Sequence, residues 1–255
     1  MTKIEWTDET WNPVWGCYGG CKYCYARKIA KRFARKMALQ ECDGWENAPG
    51  FKSLYEDIKA FIPVSFNKKW DKKFKKSTRY VFVDSMSDIA FWESRWIDNM
   101  IVIIEGNPQI IFQILTKFPL KLVHIKFPEN VWIGISAENQ KSYDNRIEDL
   151  LLIEAGKHFV SLEPLHGPVD IDPFYDKILD IEATIQETGV DIYHGTLDWV
   201  IVGAETGSKN AAWPSTEWIN DIIAQCRIFD IPFFFKGWPD HSRGFEGKLY
   251  NEFPK

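Results

Sequence analysis

Tyr80-Val81-Phe82-Val83-Asp84-Ser85-Met86-Ser87-Asp88 sets the pattern from which the fold can be read. A short apolar run rich in β-formers stops abruptly at a set of small polar residues, and helical spacing begins soon after, over residues 92–105. Such a run fills a buried strand, and small polar residues start the next helix. A helix then returns the chain to begin a parallel neighbour. Toward the C-terminus the rhythm repeats, with β-rich runs at residues 110–115, 131–135, 158–160, 199–202 and 232–235. Helical spacing returns at 141–154 and 217–229. Strands alternating with helices specify a parallel sheet covered on its outer side. With a short strand expected at residues 13–16, the count is six to seven parallel strands. This is an α/β fold, and the number suits a partial (β/α) barrel better than a doubly wound sheet.

Each run ends in a polar set. After Asp84 to Asp88 come Thr116-Lys117, Ser136-Ala137-Glu138-Asn139, Ser161-Leu162-Glu163-Pro164, Gly203-Ala204-Glu205-Thr206-Gly207 and Lys236-Gly237-Trp238. Any one of these is explained by helix capping. Six in succession at the same strand end point to a common site, because barrels carry their chemistry at the C-terminal ends of the strands.

Toward the N-terminus lies Val14-Trp15-Gly16-Cys17-Tyr18-Gly19-Gly20-Cys21-Lys22-Tyr23-Cys24-Tyr25-Ala26, with cysteines spaced C-x3-C-x2-C around a glycine pair. Thiolates ligate iron–sulfur clusters, usually four to a cluster. Three in so tight a loop can hold three irons of a cubane and leave the fourth open. Zinc would recruit four Cys or His ligands, and a fourth here would have to be Cys42, 18 residues on and beyond an expected helix. Packed core cysteines are the remaining reading, which a Gly-rich loop suits poorly. The helix expected over residues 23–40 puts Ile29, Ala30, Phe33 and Met37 on one face. Arg27, Lys28, Lys31, Arg32, Arg35 and Lys36 lie on the other, as a solvated face or a phosphate-binding patch.

The chain has 255 residues, 45% hydrophobic and 26% charged, and reads as one domain over 1–255. Residues 41–79 read as a basic insertion, with a second cluster at Lys68, Lys69, Lys72, Lys73, Lys75 and Lys76. Residues 170–196 read as an enlarged connection. A net charge of -5 argues against coating nucleic acid by bulk charge, but leaves room for a local basic face. Five cysteines, three of them clustered, suit a reducing compartment. With no apolar leader and no run of 18 apolar residues, the expectation is a cytoplasmic protein without membrane contact.

The cysteine loop, with an aromatic at Tyr23, resembles the motif of the radical SAM superfamily. Within it the chain resembles a three-Cys-motif family of unknown function first noticed in phages and prophages. Thr10 to Pro13, Ser85 to Asp88, Ile114 to Lys117, Asn130 to Gly134, Ser161 to Leu165, Asp198 to Gly203 and Phe234 to Lys236 carry that likeness over nearly the whole chain. One departure is Gly237, where the pattern leads one to expect Gln. The resemblance implies a partial barrel of the radical SAM type. It also implies a 4Fe–4S cluster on Cys17, Cys21 and Cys24, with S-adenosylmethionine on the open iron, cleaved reductively to a 5′-deoxyadenosyl radical. An electron donor such as flavodoxin or ferredoxin goes with that chemistry. Tyr23 is then a candidate to lie near the adenine, and Ser85, Ser87 and Asp88 near the methionine amino group. Ser136 is assigned to the methionine carboxylate and Glu138 to the ribose hydroxyls. Glu163 and Glu205, each near a basic partner such as Lys117 or Lys236, are expected to face the substrate and to hold it or move a proton. The basic clusters and the aromatic content favour a nucleic-acid base or nucleotide-derived group as substrate, for modification or repair. The competing readings are a radical SAM enzyme acting on a small metabolite or peptide, and a non-catalytic, zinc-stabilised nucleic-acid-binding module.

Overall fold

The structure, a computed structural model, describes residues 4–21, 24–171, 195–205 and 211–255. Its fold is α/β, with a seven-stranded parallel sheet of the partial (β/α)-barrel class. In chain order the sheet strands are β1 (Glu9–Trp11), β4 (Tyr80–Val83), β5 (Ile111–Thr116), β6 (Val131–Ala137), β7 (Lys157–Leu162), β8 (Leu197–Gly203) and β9 (Phe233–Gly237), which is also their order across the sheet. The six β-rich runs expected from residue 80 onward are all strands. Helices α4 (Ser94–Glu105), α5 (Gln140–Leu151) and α6 (Thr216–Ile228) fall where helical spacing placed them. The expected connection over 170–196 lies almost wholly outside the described residues. Contacts divide the chain into two compact units, one of residues 7–116 and one of residues 4–6 with 117–255.

In the first unit the opening strand is not residues 13–16. Glu9, Thr10 and Trp11 pair in parallel with Val81, Phe82 and Val83. Pro13, with no N–H to give a ladder, follows where the chain leaves the sheet. Val14–Trp15 (β2) then pairs antiparallel with Val64–Ser65 (β3) in a separate two-stranded ribbon. Helix α1 (Tyr25–Glu41) follows the cysteine loop and packs on α2 (Phe51–Ala60). Its buried residues are Ala26, Ala30, Ala34, Met37 and Ala38, a face of alanines that lets neighbouring backbone approach closely. Phe33, expected inside, is 37% exposed, with the Arg32 guanidinium 5.3 Å from its ring. All six basic residues of α1 are exposed. Four of their pairings (27/31, 28/32, 31/35, 32/36) set like charges at i,i+4, each costing about 0.2–0.5 kcal/mol in an isolated helix.

The basic insertion is partly neutralised by acids of its own unit. Beyond the short α3 (Asn67–Trp70), Lys72 pairs with Glu9 at 3.1 Å. Lys68 pairs with Asp43 and donates to the Gln40 carbonyl at 2.6 Å. Lys69 lies 4.5 Å from the Trp15 ring and 5.0 Å from Phe66, and burial there pulls its ammonium down to about 8.

The second unit is built around Trp199 of β8, which is fully buried. Phe253, Trp132, Phe234 and Trp6 surround its ring with centroids at 5.0, 5.8, 6.0 and 6.3 Å. Aromatic pairs at such separations add to the burial of their area. Beyond β9 the chain folds back along this strand. Phe235 N–H donates to the Tyr250 carbonyl, Glu252 N–H to Phe233, and Trp199 Nε1 to the Glu252 carbonyl. Arg227 closes a two-pronged ion pair on the Glu252 carboxylate.

Candidate functional site

In the first unit the cysteine loop is fastened at its base. Gly16 N–H donates to the Met86 carbonyl at 3.0 Å, and Cys17 N–H donates to Phe61 at 3.0 Å. Gly16 has φ +105°, and a Cβ there would stand 2.2 Å from the Ile62 carbonyl oxygen. Only glycine satisfies both demands. At the other end Cys24 is the N-cap of α1, its sulfur accepting from Arg27 N–H at 3.4 Å. The Cys17 sulfur accepts from Gly19 N–H at 3.2 Å. The Cys17, Cys21 and Cys24 thiols are free and half-buried. Burial pushes the Cys17 thiol up to about 12, opposed by the Gly19 N–H and reinforced by Asp88, Cys21 and Cys24. No group of three or more His, Cys, Asp or Glu side chains is gathered for a metal among the described residues. In donor chemistry the loop fits a thiolate-bound cluster: two of its three sulfurs already receive backbone N–H groups, the bonds that tune iron–sulfur centres. Between Cys17 and Cys21 the backbone turns at Gly20, which takes φ +67°. Tyr23 lies outside the described residues.

The polar set after β4 is tied to the base of this loop. Asn12 Oδ1 accepts from Ser85 Oγ at 3.0 Å and from Met86 N–H at 3.2 Å, while Tyr25 Oη donates to the Ser85 carbonyl at 2.5 Å. Ser87 Oγ accepts from Trp92 Nε1 at 2.9 Å. Asp88 caps the 3-10 turn Ile89–Phe91 through Ala90 N–H and takes the Thr116 hydroxyl at 2.7 Å on the same oxygen. Asp84 carried no assigned role in the sequence. It is 2% exposed at φ +65°, with Oδ2 accepting from Ile89 N–H and, among the described residues, no hydrogen-bond partner on Oδ1. Burial and the neighbouring Asp88 hold its carboxyl well above the usual carboxylate range. Burial of a run's first polar residue depends on tertiary packing, which no local pattern encodes.

The second unit carries two further clusters. Glu138, just after β6, takes Lys117 on one oxygen and Arg146 at 3.7 Å on the other. Arg146 also donates to the Ser136 carbonyl. Lys117 is therefore matched with Glu138, not with Glu163 or Glu205. Asn139 and Ser142 form a capping box at the start of α5, and Ser142 Oγ accepts from Glu138 N–H at 2.8 Å.

Glu163 follows β7. Its Oε2 accepts from Lys236 Nζ at 3.1 Å and from Ser161 Oγ at 3.2 Å, while Oε1 is buried with no partner among the described residues. Gly203 leaves the space for this carboxylate, since a Cβ there would lie 2.3 Å from Oε1. Burial alone would pull the Lys236 ammonium down; the charge and hydrogen bond of Glu163, joined by Glu5, outweigh it and raise its pKa. Glu5, which nothing in the sequence marks locally, also has a buried oxygen with no partner among the described residues. Glu205 is half-buried two residues after β8 and makes no ion pair among the described residues. The departure at Gly237 has a backbone reason: φ is +142°, and a Cβ would stand 2.7 Å from the Ser242 carbonyl oxygen. His166 is exposed, Cys42 ends α1, and Cys226 is buried in α6.

Among the described residues no helix is long and apolar enough to cross a membrane. A family model described as "Protein of unknown function (DUF5131)" matches residues 1–251. No curated protein and no solved structure matches the chain.

Proposed function

The chain belongs to the DUF5131 family of proteins of unknown function; from the cysteine loop we propose that it is a radical SAM enzyme acting on a nucleic-acid base or nucleotide-derived group. Cys17, Cys21 and Cys24 would hold a 4Fe–4S cluster, with S-adenosylmethionine as co-substrate. The observation that carries the reading is the cysteine loop. Three free thiols sit between a glycine no other residue can replace and a helix N-terminus, with backbone N–H groups on two sulfurs. When bound, the cluster and S-adenosylmethionine supply one-electron reduction of a sulfonium and, from it, the power to abstract hydrogen.

The chain's own residues do the holding. Asn12 and Tyr25 fix the Ser85–Met86 backbone beside the loop. Asp88 presents carboxylate charge at the strand end, where an ammonium of the co-substrate would find a counter-ion. Glu163 and Lys236 are the substrate-binding pair of the second unit, with Glu163 Oε1 as the open acceptor for a substrate N–H or O–H. The basic face of α1 favours a polyanionic substrate over a small metabolite or peptide.

The test is anaerobic reconstitution with iron and sulfide, followed by dithionite and S-adenosylmethionine, with 5′-deoxyadenosine as the readout. A Cys21→Ala variant runs alongside, with and without DNA or RNA. Product that requires Cys21 and rises with nucleic acid is the expected result. Folded protein that binds no iron, or one zinc and no iron, sinks the reading.

A further inference from the structure

We infer that the exposed face of α1 is a docking surface for a nucleic-acid backbone. The choice of nucleic acid among polyanions rests on the functional reading above; the surface itself does not depend on the cluster. Arg27, Lys28, Lys31, Arg32, Arg35 and Lys36 are all exposed, and Glu41, the last residue, is the only acid in the helix. Opposite charges at i,i+4 stabilise an exposed helix face, and like charges destabilise it by similar amounts. Here all four such pairings repel. Arg27 and Lys28 also sit in the first turn, where the helix dipole favours acids. A single Glu at any of these exposed positions would relieve the repulsion. The arrangement is explained by counter-charge arriving from outside the chain.

Among the described residues, internal counter-charge is sparse. Arg35 meets Glu46, Arg27 lies over the Phe61 ring and Arg32 over Phe33. Lys28, Lys31 and Lys36 make no ion pair among the described residues. The charge of the whole chain is also segregated. Residues 7–116 hold 17 Lys and Arg against 13 Asp and Glu, a net of +4, while the remainder holds 14 against 23, a net of -9. Arg27 to Lys36 spans about 14 Å at 1.5 Å per residue, against one phosphate per roughly 3.4 Å of each duplex strand. The face is thus long enough for several consecutive phosphates. Such contacts position a nucleic acid without reading its sequence. Because Cys24 caps α1, the bound backbone would run from the edge of the cysteine loop outward.

The experiment is fluorescence anisotropy of labelled single-stranded and duplex oligonucleotides with cluster-free protein across a KCl series. A triple variant, Lys28→Ala, Lys31→Ala and Lys36→Ala, is compared with an equally exposed control, Lys73→Ala, Lys75→Ala and Lys76→Ala. Wild type should bind with log affinity falling linearly against log salt. The α1 variant should lower that slope by about 2–3, since each phosphate neutralised by a side chain contributes ~0.7–0.9 to it, with thermal stability kept or raised. Binding insensitive to salt, an unchanged slope in the α1 variant, or an equal loss in the control overturns the assignment. So does binding of an acidic protein such as flavodoxin with no binding of either oligonucleotide. Oligonucleotide binding without 5′-deoxyadenosine formation would sink the radical reading and leave this surface standing. Deoxyadenosine formation without oligonucleotide binding would do the reverse.

Discussion

Replacing Lys236 with Met removes the ammonium in contact with Glu163. The carboxylate then keeps the Ser161 hydroxyl on Oε2 and, among the described residues, has nothing on Oε1. Breaking a fully buried ion pair costs about 3–5 kcal/mol. Here the side chains are 15% and 30% exposed, so water reaches the stranded charge and we expect about 2–3 kcal/mol. Glu163→Gln keeps the shape and removes the charge, and Glu5 still faces the ammonium; this variant should lose about 1–2 kcal/mol. The double variant has no stranded partner. It should be less destabilised than the sum of the two, with a coupling of about 1–2 kcal/mol. Urea unfolding of the four proteins gives the cycle directly. The pH dependence is a second readout. The folded Lys236 pKa is raised above its unfolded value, so the pair's contribution is complete below about 10.4. It is lost only as pH rises through the folded pKa. The gap between wild type and Lys236→Met should therefore stay constant through neutral pH and narrow in the alkaline range. An additive cycle, or a gap that collapses near neutrality, would refute the reasoning.

Gly16→Ala forces a Cβ into the Ile62 carbonyl at positive φ. It should cost about 3 kcal/mol or more from strain and clash together, and lower the iron bound per chain on reconstitution. Gly237→Gln should fail for the same reason at the Ser242 carbonyl, destabilising by about 2 kcal/mol in urea unfolding. Asp84→Asn mimics the neutral acid that burial favours. Because the folded Asp84 pKa is raised, wild type loses stability as pH rises from its ordinary value near 3.8 toward the folded one. At pH 7 the variant should match or exceed wild type, and a loss above about 2 kcal/mol would show that the ionised carboxylate is required.

The alternation of strand and helix was legible because each of the six β-rich runs is buried on both faces, which leaves a near-continuous apolar signature. The opening strand was misplaced because only three residues, Glu9–Trp11, enter the sheet, too few to show a pattern beside the more apolar Val14–Trp15. The buried face of α1 was misread for a related reason. Of the buried alanines Ala26, Ala30, Ala34 and Ala38, only Ala30 stands on the expected face, because alanine is a weak apolar signal beside Phe33, which projects into solvent. Pairings between distant positions were harder still. That Lys236 meets Glu163 and Lys117 meets Glu138 follows from strand order and register, which the sequence does not state locally. Glu5 joins the Lys236 cluster from 231 residues away.

The return of residues 250–253 along β9 has a consequence for synthesis. An outer strand with free N–H and C=O groups is a template for pairing with another chain, and here the Tyr250 carbonyl and Glu252 N–H occupy that position on Phe233 and Phe235. Residues 250–253 are made after β9, so until they fold back the sheet carries an open, phenylalanine-rich edge, and chaperone capture or co-aggregation of growing chains would be concentrated in that interval.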